Sequence, residues 1–196
     1  MSTLRIATVL LALLTVAGCS SPERPRFPDI TFGHLPPFRL DVASVEVVRA
    51  YTPTSMAPNI EQSFPVPPMQ AMERWVRDRL QAVGTSGTAT VTITDASAVE
   101  ERLPRTQGIR GAFTTDQAER YRARVEMTIE ASDVRADGSR RNGTAIAQAS
   151  RSQTAPEDVT INQREKIWFE MTEAMMREFD AAMASEVQKN LGAFLR

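Results

Sequence analysis

The strongest pattern in the chain is a strict alternation of apolar and polar residues over 121–131, YRARVEMTIEA. Successive side chains of a strand point to opposite faces, so this alternation predicts a half-exposed antiparallel strand. The dipeptide Asp137-Gly138 follows and is typical of a hairpin turn. We therefore expect residues 143–152, GTAIAQASRS, to return as the neighbouring strand, with an alanine-rich face on which a helix can lie close.

Two earlier segments alternate in a similar way. Residues 38–48, FRLDVASVEVV, predict a first strand, and their change of phase at Ala43-Ser44 predicts a bulge within it. Residues 88–96, TATVTITDA, predict a second strand. The proline-punctuated segment 51–68 is predicted to be a long loop that is functional or covers a sheet edge.

The segment from Pro67 to Val83 has helical periodicity. Its apolar residues recur three and four positions apart, two prolines suit the first turn, and Gly84 suits the stop. The charged residues from Arg74 to Arg79 are predicted to point outward. We expect one amphipathic helix over 67–83.

A second helix is predicted to begin at Thr160, whose side chain can form a capping box with Gln163. An apolar stripe at helical spacing then extends from Trp168 to Phe194. Such a helix is about 50 Å long at 1.5 Å per residue, whereas a typical strand measures about 20 Å. We therefore expect part of the helix to overhang the sheet or bend over its edge.

The element order is strand, helix, strand, strand, strand, helix. It predicts an α+β fold, with a mostly antiparallel four-stranded sheet and two helices packed on one face, the C-terminal helix being long. The predicted organisation is a signal peptide over 1–18, a proline-rich tether over 19–37 and a single domain over 38–196. The second half of the tether is apolar enough to pack along the domain as an edge or irregular strand.

Methionines recur on the apolar faces of both predicted helices. Thioethers repack easily, so these residues either line an adaptable lipid-binding groove or simply fill the core. The sequence leaves both interpretations open for Met69, Met72, Met171, Met175, Met176 and Met183.

The first eighteen residues have the three parts of a secretory signal. Arg5 supplies the positive charge, the run from Ile6 to Val16 is almost entirely apolar, and the small residues Ala17 and Gly18 follow. This run is shorter than the roughly 17–25 residues that cross a bilayer. A signal peptide is therefore favoured over a transmembrane helix.

The signal is followed by Cys19, the one cysteine of the chain. Val16-Ala17-Gly18-Cys19 resembles the lipobox of bacterial lipoproteins. The resemblance implies lipidation of Cys19 by a diacylglyceryl group, cleavage just before it, and usually a further acyl chain, such as palmitate, on the new amino terminus. Two or three such chains hold a protein on a membrane almost irreversibly.

The resemblance also implies a location. Ser20, rather than aspartate, follows the cysteine, which points to the outer membrane with the domain facing the periplasm; inner-membrane anchoring stays open. Because Cys19 carries the lipid, no thiol is left for disulfides, redox chemistry or metal thiolates.

Charge narrows the possible partners. Removal of residues 1–18 takes one of the 23 basic residues and none of the 24 acidic ones, which leaves a net charge of about −2. This balance lacks the clustered basic excess typical of nucleic-acid-binding proteins and the polybasic surface that binds anionic lipids. No nucleic-acid partner is predicted.

Candidate chemistry is sparse. The single histidine, His34, lies in the tether rather than beside a nucleophile, and no set of zinc ligands clusters. We predict no cofactor, no metal and no catalytic residue, and therefore not an enzyme. Acidic residues near strand ends could form a hydrolase pair, but solvated strand ends with nearby arginines are the favoured interpretation for Asp95, Glu100, Glu101, Asp116 and Glu119.

The long connection before residue 121 contains Ile109 and Phe113 near two glycines. An apolar pair on a loop can anchor an interface, so these two residues are the predicted partner contact.

Element order, lipobox and size together are similar to two groups of small envelope lipoproteins. One plugs the lipopolysaccharide-assembly barrel, and the other assists ABC-type lipid transporters. The resemblance implies a non-enzymatic accessory or assembly partner of an envelope transport or biogenesis system. The alternative is a periplasmic module that binds a lipid or another small apolar ligand.

Overall fold

The computed structural model describes residues 26–104, 117–135 and 137–196. These residues form an α+β fold, as predicted, with a long C-terminal helix. Its strands are β1 (Phe38–Leu40), β2 (Ser44–Arg49), β3 (Leu80–Ala82), β4 (Thr88–Arg102), β5 (Gln117–Val134) and β6 (Arg140–Pro156). Its α-helices are α1 (Pro68–Arg79) and α2 (Ile161–Asn190), and short 3₁₀ helices occupy Glu61–Ser63 and Gly192–Phe194.

The main sheet has four strands in the order β2-β4-β5-β6. β2 runs parallel to β4, and the other two pairs are antiparallel. The prediction of a mostly antiparallel four-stranded sheet with two helices is confirmed. Gly138, with φ of 80°, lies in the predicted turn between β5 and β6, where a left-handed backbone favours glycine.

Both helices pack on the same face of this sheet. The inward positions of β4, β5 and β6 share one buried cluster with the apolar stripes of α1 and α2. Alanines dominate the inward side of β6 at Ala145, Ala147 and Ala149, so the axis of α2 can approach the strand closely. The methionines of the helices are core residues: Met72, Met175, Met176 and Met183 have 0% exposure, Met171 has 5%, and Met69 is partly buried.

The first predicted strand is in fact two strands in two sheets. β1 pairs in parallel with β3 in a separate two-stranded sheet, whereas β2 pairs with β4. The change of phase at Ala43-Ser44 therefore marks a crossing between sheets, with the side chain of Val42 fully buried there. The predicted bulge is wrong at this position; a register shift occurs in β4, between Ile93 and Asp95.

The first helix is shorter than predicted. It ends at Arg79, and the following residues pair with β1 instead of completing another helical turn. Gly84 is needed for a different reason from a helix stop, because a Cβ there would lie 2.6 Å from the carbonyl carbon of Asp41. Long-range strand pairing thus overrides the local helical pattern.

The sheet is also longer than predicted. β4, β5 and β6 have 15, 18 and 17 residues, which corresponds to about 50–60 Å at 3.3 Å per residue. α2 has 30 residues, or about 45 Å. The expected strand length of about 20 Å is wrong, and the sheet is long enough to support the buried stripe of α2 between Trp168 and Val187.

The last residues return to β1. Leu195 forms an antiparallel bridge with Leu40, and the Asp41 N–H donates to the carbonyl of Phe194 at 2.7 Å. The small sheet therefore joins residues 38–40, the end of α1 and the end of the chain.

Candidate functional site

A groove lies between residues 28–35 and the outer side of α2. Its volume is about 610 Å³. The Phe27 ring stacks on Phe169 with centroids 5.1 Å apart, next to this groove. The lining residues are Pro28, Asp29, Ile30, Thr31, Phe32, His34, Leu35, Phe169, Glu173, Arg177 and Asp180.

Segment 28–35 is irregular and firmly packed. Ile30 and Phe32 are buried members of the core, and the Phe32 N–H donates to Asp78 Oδ2 at 2.8 Å. Leu35 is half-buried, and its N–H donates to the carbonyl of Phe32. The second half of the tether packs along the domain, as predicted, but it does not form the predicted strand over 28–35.

A buried ion pair lies beside the groove. Arg79 Nε and Trp75 Nε1 both donate to Asp180 Oδ1, at 2.8 and 2.7 Å. The side chains of Arg79 and Asp180 are only 6% and 15% exposed. Arg79 also donates to the carbonyl of Pro36, and its guanidinium lies 4.4 Å from the centre of the Phe38 ring. These contacts hold the segment from Pro36 to Phe38 against both helices.

The carboxylates that line the groove all have cationic partners. Asp29 pairs with Arg74 at 3.3 Å, and Glu173 pairs with Arg177 at 3.3 Å. Asp180 is held by the buried pair described above. The charges therefore balance around an apolar centre formed by side chains such as Phe169.

A second polar cluster holds the long loop after β2. Glu61 is 1% exposed, and its carboxylate accepts bonds from Tyr51 Oη and the Thr54 N–H, both at 2.8 Å, and from Asn59. Burial by itself raises the pKa of Glu61, but these hydrogen bonds bring the net pKa below its ordinary value. Burial and the Glu61 carboxylate raise the pKa of Tyr51.

This loop covers part of a sheet edge, which is one of the two roles predicted for it. Asn59 bridges to Val99, and the Ile60 N–H donates to the carbonyl of Ala98 at 2.9 Å. The covered edge is the part of β4 that extends beyond β2. The Glu61 cluster therefore has a structural role, because its hydrogen bonds stabilise the loop.

The opposite end of the sheet has an arginine clamp. Arg141 Nη2 donates to Asp41 Oδ2 and to Asp133 Oδ2, each at 3.0 Å. Its guanidinium lies 4.3 Å from the centre of the Phe194 ring. The hydrogen bond from Arg141 holds the pKa of Asp41 below its ordinary value, and Arg196 adds to this effect. The clamp joins β5 and β6 to the turn after β1 and to the end of the chain.

The acidic residues weighed as a hydrolase pair are divided between the two faces of the sheet. Asp95 pairs with Arg124 at 3.2 Å, and Glu101 pairs with Arg122, both on the face away from the helices. Glu119 lies on the helix side, and so does Glu100, the register partner of the buried Tyr121. Asp116 lies outside the described residues.

Glu119 belongs to an aromatic cluster where β5 begins. It accepts a hydrogen bond from Tyr121 and pairs with Arg164 at 3.0 Å. The Trp168 ring packs edge-on against Tyr121 and is stacked on Phe64. Burial and the Glu119 carboxylate raise the pKa of Tyr121.

Cys19 and the predicted partner contact, Ile109 and Phe113, lie outside the described residues. His34 lines the groove and is exposed.

Over 26–104, 117–135 and 137–196, no three or more His, Cys, Asp or Glu side chains form a candidate metal site. No helix in that same part of the chain is long and apolar enough to cross a membrane.

The groove and its buried ion pair were missed by sequence reasoning. Arg79 was predicted to point outward, and this prediction is wrong: the residue is 5% exposed. A usable signal existed, since Arg79 lies four positions after Trp75 and therefore on the same helical face. Asp180, its partner, is 101 positions further along the chain, and no local pattern connects the two.

No family model matches the chain, and the search of curated proteins found no significant match.

Proposed function

We propose that this protein is a lipid-anchored envelope lipoprotein. Its domain acts as a non-enzymatic accessory or assembly partner of an envelope transport or biogenesis system, at the periplasmic side of the outer membrane. The observation that carries the proposal is the lipobox-like Val16-Ala17-Gly18-Cys19 directly after a short apolar run. Acyl chains on Cys19 would supply the membrane contact.

The packing of the second half of the tether supports this arrangement. Arg26 lies seven positions after Cys19, a distance of at most about 25 Å for an extended chain. From Phe27 onward the chain is fastened to α2 and to the Arg79 cluster. A domain tethered in this way stays close to the bilayer that holds its anchor.

The exposed face of the sheet supports a partner role. Register places Val48, Thr92, Thr128 and Ile146 in one row across the four strands. The two ends of the row, Val48 and Ile146, are 45% and 54% exposed. A broad strand surface that mixes apolar and polar side chains suits a flat protein contact.

The anchor is tested by lipid labelling of the full chain in a bacterial host. We expect a palmitate analogue to be incorporated, and intact mass to show a chain that begins at Cys19. Cys19→Ser should abolish both the label and sedimentation with membranes, whereas the neighbouring control Ser21→Ala should change neither. An unmodified thiol, or residues 1–18 still attached, contradicts the proposal.

The partner role is tested by cross-linking in intact cells. A photoreactive side chain at Ile146 on the open face should yield the same envelope protein in independent preparations. The matched control places the same photoreactive side chain on the helix side of the domain, at Lys166 of α2, whose side chain is 69% exposed. A protein that is never cross-linked at either position, and that is purified alone from solubilised membranes, would argue against an accessory role.

A further inference from the structure

We propose that the groove between residues 28–35 and α2 binds one acyl chain of a lipid of the surrounding bilayer. This inference rests on the proposed function, because the anchor at Cys19 brings the groove to the membrane. It adds a ligand site to the domain, separate from the covalently attached lipid.

The position of the groove favours a membrane source for its ligand. Its lining begins at Pro28, nine positions after Cys19. The preceding chain from Cys19 to Arg26 spans at most about 25 Å. The groove therefore stays within a short reach of the bilayer surface, where lipid is the most concentrated apolar ligand.

The lining suits a hydrocarbon chain. Ile30, Leu35 and Phe169 contribute apolar surface, and the volume of about 610 Å³ lies within the roughly 300–1,000 Å³ of small-molecule sites. Withdrawal of each methylene group of an acyl chain from water into such a site is favourable. Some of its lining side chains, such as His34 and Arg177, are exposed to solvent, so a chain can enter without unfolding the domain.

The groove extends along α2. Its helical wall comes from Phe169, Glu173, Arg177 and Asp180, which follow one another at three or four positions along one side of α2. At 1.5 Å per residue this wall is about 16 Å long. A single extended chain matches this length better than a compact ligand.

The charges around the groove favour an uncharged occupant. Asp29 and Glu173 are engaged by Arg74 and Arg177, and Asp180 by Arg79. Each carboxylate of the lining has one arginine partner, so no net negative charge is concentrated there to attract a cationic ligand. Recognition therefore depends on apolar contact at the centre of the groove.

The experiment places a fluorescent reporter in the groove of the full-length, lipidated chain. Phe169→Trp is reconstituted into vesicles of phosphatidylethanolamine and phosphatidylglycerol whose acyl chains carry bromine, which quenches tryptophan only at short range. The matched control is Ile161→Trp, about two turns away on α2 and outside the groove lining, where the side chain is 74% exposed. Trp75 and Trp168 are buried, and their signal is subtracted with the unsubstituted chain.

We expect the Phe169→Trp reporter to be quenched at least threefold more strongly than the Ile161→Trp reporter. Adding Leu35→Asn to the Phe169→Trp chain should reduce quenching to the control level, with circular dichroism verifying that the fold is intact. A Leu35→Met change, which keeps the apolar lining, should preserve the quenching.

Three results would overturn the proposal. Equal quenching at both positions would mean that α2 lies on the bilayer surface. The second result is an unquenched Phe169→Trp reporter, in protein that floats with the vesicles and has the lipidated mass. It would mean that the groove is empty or is filled by the unbrominated acyl chain of the anchor itself. Protein that remains in solution with an unmodified Cys19 refutes the proposed function itself, and with it the membrane source of the ligand.

Discussion

Removal of the Asp180 carboxylate should destabilise the fold far more than removal of an ordinary surface charge. In Asp180→Ala, the guanidinium of Arg79 stays buried without its anionic partner, because its side chain is only 6% exposed. The Trp75 Nε1 donor loses its acceptor at the same time. Arg79 keeps its bond to the carbonyl of Pro36 and its contact with the Phe38 ring.

The magnitude follows from the cost of leaving a buried charge unpaired. Breaking a buried ion pair from one side costs about 3–5 kcal/mol. The 15% exposure of Asp180 and the remaining bond to Pro36 place the expected loss near the lower limit, about 3 kcal/mol. For a domain of this size, that corresponds to a fall in Tm of about 6–12 °C.

The measurement is thermal and urea denaturation of the purified full-length chain, followed by circular dichroism. The matched control is Glu170→Ala, which removes the partner of Lys166 in an exposed pair with side chains 60% and 69% exposed. That pair should contribute no more than about 0.5 kcal/mol. In a double-mutant cycle, the loss in free energy of unfolding caused by Arg79→Met and Asp180→Ala together should be smaller than the sum of the losses caused by each change alone.

The reasoning would be refuted by an Asp180→Ala variant whose loss of stability matches that of Glu170→Ala. Strict additivity of the two changes in the cycle would also refute it, since it would mean that Arg79 and Asp180 do not interact. Either result would remove the physical basis for a fixed wall beside the groove.

Three further predictions concern other parts of the fold. Because the pKa of Glu61 in the fold lies below its ordinary value of 4.5, its carboxylate stabilises the fold above that pH, and this contribution is lost as the pH falls through the folded value. Glu61→Gln should therefore lower stability at pH 7 by about 1–3 kcal/mol and flatten the acid limb of a pH titration of Tm; an unchanged acid limb contradicts this. Gly84→Ala should lower the free energy of unfolding by about 1–3 kcal/mol, since its Cβ would lie 2.6 Å from Asp41 atoms. The control Gly33→Ala, whose Cβ has no atom within 4 Å, should leave the free energy of unfolding unchanged in the same urea titration. Thr160→Ala should cost about 1 kcal/mol through loss of the capping box, and Thr160→Ser should retain most of that stability; equal losses would argue against the cap.

Local patterns in the sequence determined the elements whose structure depends on near neighbours. The alternation over 121–131 predicted β5, because strand periodicity is visible wherever one face is buried and the other is solvated. The Asp137-Gly138 turn and the Thr160–Gln163 capping box formed as predicted, since each depends on residues within a few positions of one another. The fold class followed from the order of these elements.

The tertiary structure alone decided features that join distant parts of the chain. α1 ends at Arg79 because Leu80–Ala82 pairs with β1 about forty positions earlier, although its helical pattern continues to Val83. The Arg79–Asp180 pair and the groove beside it bring together residues 101 positions apart or more. Periodicity reports which face of an element is buried but does not identify the distant residues that pack against it, and for this reason the candidate site emerged only from the folded chain.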